Sequence, residues 1–292
     1  MLVRGSPFIP PCAPTLVDKP PEGEGWAHEI KYDGYRTQIH LAGRDVKGFT
    51  KTGVDWSKRY APVLAAVRAL ISRDAVLDGE MVVQDDEGRS DFHKLASAIR
   101  WKSASLVFYA FDLLTLDGED IRRQTCEERR SRLRDLIGDP RPDIAIQFSQ
   151  DFRGSGAELF AAADNMGLEG IVSKRLASRY RSGDSRDWLK IKAYTTGEYI
   201  VIGYERKKGV APSLLLADEG LRYVGRAIPA IGDKMRDDLW QALAFLETDR
   251  WASDVGINKG ASPVTPALKV RAKHLRGEEK LRHATVTEIL TP

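Results

Sequence analysis

The chain has 292 residues, of which 42% are hydrophobic and 30% charged, and carries a formal net charge of +3; this suits about two domains with buried cores and excludes a polycation. Cys12 and Cys126 are too few and too far apart for a disulfide framework or a zinc site and read as free thiols. No N-terminal run has signal-peptide length and no later stretch has membrane-span length, so the chain is expected in the cytoplasm.

The first informative segment is Glu29-Ile-Lys-Tyr-Asp-Gly-Tyr-Arg36. Trp26 to Lys31 alternates apolar and polar residues as a half-buried strand does, Asp33-Gly34 signals a hairpin turn, and Tyr35 to Leu41 alternates again. Lys31 then stands at a strand end. Such an amine attacks phosphorus only when unprotonated, which burial beside cations such as Arg36 would favour. A solvated hairpin lysine is the alternative. Residues 56 to 73 follow, with a helical stripe at Val63, Leu64, Val67, Leu70 and Ile71.

Next, Leu77-Asp-Gly-Glu-Met-Val-Val83 reads as a strand that sets Glu80 among apolar residues, and Leu106 to Leu114 as a strand too apolar for a surface, with Phe111 beside Asp112. Each has a plain reading, a solvated Glu and a core Phe. Helices are expected at Glu127 to Ile137 and at Gly156 to Met166. In Leu168-Glu-Gly-Ile-Val-Ser-Lys-Arg175 a carboxylate, Glu169, stands before a glycine that opens a strand, where it can reach a divalent cation. In Trp188-Leu-Lys-Ile-Lys192 the alternation puts Lys190 and Lys192 on one strand face, as a phosphate clamp requires.

Together and in this order, EIKYDGYR, LDGEMVV, FYAFDLLTLDGEDIR, LEGIVSKR and DWLKIK resemble the covalent nucleotidyltransferases, and most closely the ATP-dependent DNA ligases of bacterial end joining. The resemblance covers nearly the whole chain. It implies an α+β fold: a nucleotidyltransferase (ATP-grasp-like ligase) domain of antiparallel sheets flanked by helices over 1–196, then an OB-fold β-barrel over 197–292. The second part reads that way from its residues as well, with short strands at Tyr199 to Tyr204, Leu214 to Ala217 and Leu221 to Val224. A helix with Leu239, Trp240, Leu243 and Leu246 inward and two closing strands complete the pattern. The small, polar segment Ala193 to Gly197 reads as a linker with a hinge near Gly197.

The resemblance also implies the chemistry. Lys31 would take AMP from ATP and pass it to a DNA 5′-phosphate, which the 3′-hydroxyl of a nick or break then attacks. Glu29 would face the adenine amino group beside Ile30, Phe111 would stack on the base, and Arg36 and Glu80 would lie at the ribose. Lys190 and Lys192 would hold the α-phosphate, Lys192 also assisting the chemistry; Glu169 would hold Mg²⁺ or Mn²⁺, and Asp33 would either help position Lys31 in catalysis or join Glu169 at the metal. The same lysine chemistry also serves RNA ligases and capping guanylyltransferases, and a non-catalytic nucleic-acid-binding module is a third class of reading. Two departures stand out. Lys51-Thr52-Gly53 occupies the place where relatives commonly have Arg-Asn-Gly, and the C-terminal basic motif is reduced to Arg282.

Local basic patches are the candidate DNA contacts: Lys207 with Lys208, Arg282, and Lys269, Arg271, Lys273 and Arg276, the first three of which alternate with apolar residues as one strand face. An ordinary solvated face is the equal alternative. No helical DNA-clamping domain, polymerase or phosphoesterase module is legible in the chain, so a minimal, stand-alone, monomeric ligase at the nucleoid is expected, aided by a DNA-end-binding repair protein.

Overall fold

The computed structural model describes residues 7–290 apart from 86, 102, 140, 142, 143, 208, 210, 253–259 and 276–279. The expected DNA contacts Lys208 and Arg276 therefore lie outside the described residues. The chain forms two compact units, Met1–Lys192 and Ala193–Pro292, against an expected boundary after residue 196.

Unit 1 holds two sheets. One has the order β1 (Cys12–Leu16), β11 (Gly183–Lys192), β10 (Gly170–Arg175), β2 (Trp26–Ile30) and β9 (Asp151–Phe152). The other runs β4 (Asp45–Thr50), β3 (Tyr35–Ala42), β5 (Ala75–Val83), β6 (Leu106–Leu116) and β7 (Glu119–Asp120), with β8 (Ile146–Phe148) also on β6. Pairing is antiparallel except β1 with β11 and β6 with β8. Helices α1 (Ala61–Leu70), α2 (Phe92–Trp101) and α3 (Cys126–Ile137) cover the second sheet, where Val63, Val67, Leu95 and Leu133 close over Ile39, Leu77, Met81 and Phe108. Helix α4 (Gly156–Asn165) packs Ala163 against Ile171 and Ile191 of the first sheet.

Local chemistry explains the helix ends. Pro62 lies in the first turn of α1, where its missing N–H costs nothing, so the helix begins there and residues 56–60 form turns instead. Thr125 and Glu128 close a capping box at the start of α3. The amphipathic α2, with Leu95, Ala98 and Ile99 buried, is an addition to the sequence reading.

Two expectations need correction. Asp33-Gly34 is not a hairpin turn, because β2 pairs with β10 and β9 whereas β3 pairs with β4 and β5. The chain crosses there from one sheet to the other, and Gly34 is needed because a Cβ would stand 2.3 Å from the Met81 carbonyl oxygen. Nor is Gly197 a linker residue. It lies inside β12 (Tyr194–Glu205), opposite Ala272, and Ala193 alone separates β11 from β12.

Unit 2 is a five-stranded, OB-like barrel. The path runs β12, β13 (Ser213–Ala217), β14 (Tyr223–Pro229), β17 (Leu281–Leu290), β16 (Lys269–Leu275) and back to β12, with the short β15 (Ser262–Pro263) also on β12. Helix α5 (Asp233–Phe245) sends Leu239, Trp240 and Leu243 into the barrel core with Val201, Leu214 and Val270. The expected strand at Leu221 starts later, because Leu221 adopts φ 59° in a turn closed by Arg222 N donating to Asp218 Oδ1 at 2.9 Å.

Candidate active site

The Lys31 backbone extends the ladder of β2, its N–H donating to the Gly170 carbonyl at 2.9 Å. From that rigid start the side chain reaches Glu169, where Nζ donates to Oε2, and the other carboxylate oxygen lies 3.4 Å from Lys192 Nζ. Gly170 makes the arrangement possible. Its φ is 138°, and a Cβ would stand 2.0 Å from the Ile191 carbonyl oxygen, so only glycine lets Glu169 arrive beside the end of β11. Lys190 shares its strand face with Lys192, and its pKa is lowered, first by burial and then by Lys192, Lys31 and Lys51. These lysines thus act on one another, which is the field a polyphosphate would neutralise.

Beside them opens a cleft of about 160 Å³ whose walls include Ile30, Phe111 and Trp188. Arg36 crosses it, gripping Asp78 through Nε and Nη2 at 2.7 Å each, with its guanidinium carbon 4.4 Å from the Phe111 ring centroid. Burial opposes the Arg36 charge, but the Asp78 carboxylate outweighs it and raises the pKa. Asp78 is itself fully buried and accepts from Tyr180 Oη at 2.6 Å.

Glu80 lines the same cleft. Its carboxyl is pushed up to about 8, chiefly by burial, with Arg36 and Lys31 pulling it down and the Glu169 and Asp78 charges adding to the rise. A carboxyl that holds its proton longer when folded destabilises the fold once both states would otherwise ionise. In metal-free buffer the Glu80 contribution should therefore fall as pH rises from about 4.5 to about 8. Glu80→Gln is expected to flatten that part of a melting-temperature versus pH curve; an unaltered curve would contradict the placement.

Glu29 also reaches the cleft, but its carboxylate is already engaged: it accepts from Arg130 Nη1 at 2.9 Å, from Ser149 Oγ at 2.9 Å, and pairs with Lys174 Nζ at 2.7 Å. Lys51 lies in the turn after β4, lining a neighbouring depression of about 360 Å³ with Arg36 and Trp56. Asp33 sits in the crossing segment, its N–H donating to Ser90 Oγ at 3.1 Å. For a divalent cation, the fitting donors are the Glu169 carboxylate and Glu80, which feels its charge. Among the described residues no cluster of three or more His, Cys, Asp or Glu forms a cage. A cation of the Mg²⁺ kind needs only one or two carboxylates when substrate phosphates complete its shell.

The family model of the ATP-dependent DNA ligase domain matches residues 15–192, which include every residue that lines this cleft except Pro14. The chain belongs to the ATP-dependent DNA ligase family. The multifunctional non-homologous end joining protein LigD of Pseudomonas aeruginosa is 38% identical over 75% of this chain and 27% of its own length. LigD of Mycobacterium bovis is 32% identical over 89% of this chain and 35% of its own length. This ligase-family chain therefore spans about a third of the curated relatives it matches. Among solved structures, the ligase domain of M. tuberculosis LigD is similar with a TM-score of 0.58 and 28% identity, covering 96% of this chain and 94% of that one. A mycobacterial DNA ligase D complexed with ATP and MES is similar with a TM-score of 0.57 and 29% identity, over 95% of each chain.

In unit 2 of this ligase-family chain, β16 does turn Lys269, Arg271 and Lys273 to one outward face. The face is less basic than its sequence. Arg271 is bonded to Glu198 and Glu288 on the flanking strands, and Lys273 Nζ stands 4.6 Å from the Tyr194 ring centroid. Lys207 pairs with Glu205 at 3.2 Å, and Arg282 lies near the start of β17. Sequence reasoning missed Asp78, Arg130, Ser149, Lys174 and Trp188 as parts of the site. Asp78 and Lys174 stand inside quoted motifs, so the signal was a charge in an apolar strand; Arg130 offered none.

No helix among the described residues is long and apolar enough to cross a membrane.

Proposed function

We propose that this chain seals nicks or breaks in duplex DNA with ATP, forming a lysyl-adenylate on Lys31. One observation carries the reading: Glu169 bridges Lys31 and Lys192 beside a cleft walled by Phe111 and Trp188. Glu169 Oε2 is placed to receive the proton that Lys31 must lose. The freed amine attacks the α-phosphorus, a P–N bond forms, the bond to the β-phosphate breaks, and pyrophosphate leaves. Lys190 and Lys192 hold the α-phosphate oxygens as charge develops, with Lys51 next to them for the departing phosphates. A divalent cation bound by Glu169 and Glu80, with Asp33 a further candidate, would neutralise phosphate charge.

In the second step a DNA 5′-phosphate oxygen displaces the lysine, whose nitrogen takes back a proton. The 3′-hydroxyl then attacks the activated 5′-phosphate and AMP leaves. Phe111 and Ile30 receive the adenine, Glu29 its amino edge, and Arg36 the ribose. Lys207, Lys269, Arg271, Lys273 and Arg282 serve as phosphate contacts along the duplex. The setting is end joining or repair at the nucleoid, as a monomer working with a DNA-end-binding protein.

The test is one set of gels. Protein with Mg²⁺ and labelled ATP or GTP is resolved under denaturing conditions, then chased with nicked DNA or nicked RNA duplex. ATP is expected to label the protein at least about tenfold better than GTP, about 1.4 kcal/mol, because a carboxylate at the base edge accepts from an amino group and repels a carbonyl. Equal labelling, or transfer to RNA alone, would favour a capping enzyme or an RNA ligase instead. Absence of any label would leave a binding module.

A further inference from the structure

Two buried cations from different elements converge on the same pair of acceptors. Arg130, on α3, donates Nη1 to Glu29 Oε1 and to the Phe111 carbonyl, both at 2.9 Å. Lys174, on β10, places Nζ 2.7 Å from Glu29 Oε1 and 3.2 Å from the same Phe111 carbonyl. Both cations have side chains only 2% exposed. Each is tied down further: Arg130 by the Ser149 carbonyl at 2.7 Å and Asp151 at 2.8 Å, Lys174 by the Phe111 and Trp188 rings, whose centroids lie 4.4 and 4.3 Å from Nζ.

Burying two cations beside one carboxylate carries a desolvation cost that well-packed apolar side chains of similar volume would avoid. Stability alone does not account for the arrangement. Its geometric effect is to fix the carboxylate of Glu29 relative to the backbone that carries Phe111, two residues that lie on different sheets. Neither cation contacts Lys31 or Glu169 in this network. With three donors on it, the Glu29 carboxylate cannot swing aside to relieve repulsion from a carbonyl oxygen presented at the base edge, and that rigidity is what turns a contact into discrimination.

We infer that Arg130 and Lys174 are positioning residues for base selection, locking Glu29 and Phe111 in the one relative placement that admits a 6-aminopurine nucleotide and rejects a 6-oxopurine. The inference rests on the ATP reading given above and deepens it.

The experiment measures the rate of Lys31 labelling against concentration for ATP and for GTP, with wild-type protein, Lys174→Met, Lys174→Arg and Arg130→Lys, each checked for an intact fold by circular dichroism. Lys174→Met is expected to reduce the ATP-to-GTP ratio about tenfold, chiefly by raising the half-saturating ATP concentration, with the saturating rate changed less. Lys174→Arg should restore most of the ratio. Arg130→Lys keeps the charge but loses the fork, and should lower the ratio about threefold or more. If Lys174→Met does not fold, the two charge-conserving variants decide. Folded variants that keep the wild-type ratio overturn the inference, as does a loss of saturating rate with the ratio unchanged, which is the mark of a merely structural role. Wild-type protein that takes GTP as readily as ATP defeats the nucleotide reading itself, and the positioning role with it; that outcome is visible before any variant is compared.

Discussion

Lys31→Ala should abolish covalent labelling by ATP, a loss of at least about a thousandfold for removal of a nucleophile. Its melting temperature should stay close to that of the parent, because the Lys31 side chain is 21% exposed and its main role in the fold is one ion pair, with Lys192 still facing Glu169. The two measurements must be made together: a folded protein without label identifies the nucleophile, whereas a folded protein that still acquires AMP places the adduct elsewhere. Supplied with a nick that already bears AMP on its 5′-phosphate, the variant should still seal slowly, since the attack of the 3′-hydroxyl needs no lysyl adduct. Failure to seal would mean that Lys31 also serves the last step.

The second large effect is on stability. Asp112 and Arg129 are both fully buried and form a fork-to-fork pair, Nε to Oδ1 and Nη2 to Oδ2 at 2.8 Å each. Arg129 ties in the Gln124 carbonyl at 2.8 Å and the Ser178 carbonyl at 3.2 Å besides. Asp112→Ala strands that guanidinium without its counter-charge in the interior, a loss of about 3 to 5 kcal/mol. For a unit of this size the melting temperature should fall by roughly 10 °C. Replacing both partners by apolar residues of matching size, Asp112→Leu with Arg129→Met, should recover much of the loss, since what costs most is the unpaired charge. A single variant as stable as the parent would show that solvent reaches the guanidinium, contrary to its burial. Asp112 follows Phe111 on β6, so this measurement also reports on the strand that carries the platform of the cleft.

The residues that face the cleft were legible because their chemistry constrains local sequence: a lysine at a strand end, a carboxylate before a glycine, two lysines at spacing two. Strands carrying these residues were found for the same reason, the alternation of period two being a property of a few adjacent positions. What joins them was not legible. Asp33-Gly34 has the composition of a tight turn, yet the strand before it is drawn into another sheet by partners more than a hundred residues away, as Trp26 opposite Arg175 illustrates, while the strand after it pairs with its nearer neighbours β4 and β5. Gly197 has the composition of a linker and is held in a strand by Ala272. Buried charges are the other blind spot. Arg130 lies in a highly charged helix where every arginine looks solvated, and only the fold reveals that this one meets Glu29 from 101 positions away. The basic face of β16 was read correctly as a face, but its field depends on Glu198 and Glu288, which pairing brings alongside and spacing does not announce.

The crossing between the two sheets has a last consequence. Only Tyr32, Asp33 and Gly34 separate Lys31, still hydrogen-bonded to β10, from Tyr35 at the start of β3. This short bridge works as a ruler whose two ends are clamped by unrelated ladders. One residue added to it would lengthen the span by up to about 3.5 Å, which is comparable with the whole reach of a hydrogen bond. Both sheets would keep their pairings, and Lys31 its place beside Glu169, while the amine lost its register with Arg36 and Glu80 on the second sheet. A segment with no helix or strand of its own is thereby held to a fixed length, and an insertion there would silence the chemistry in a protein that still melts as one well folded.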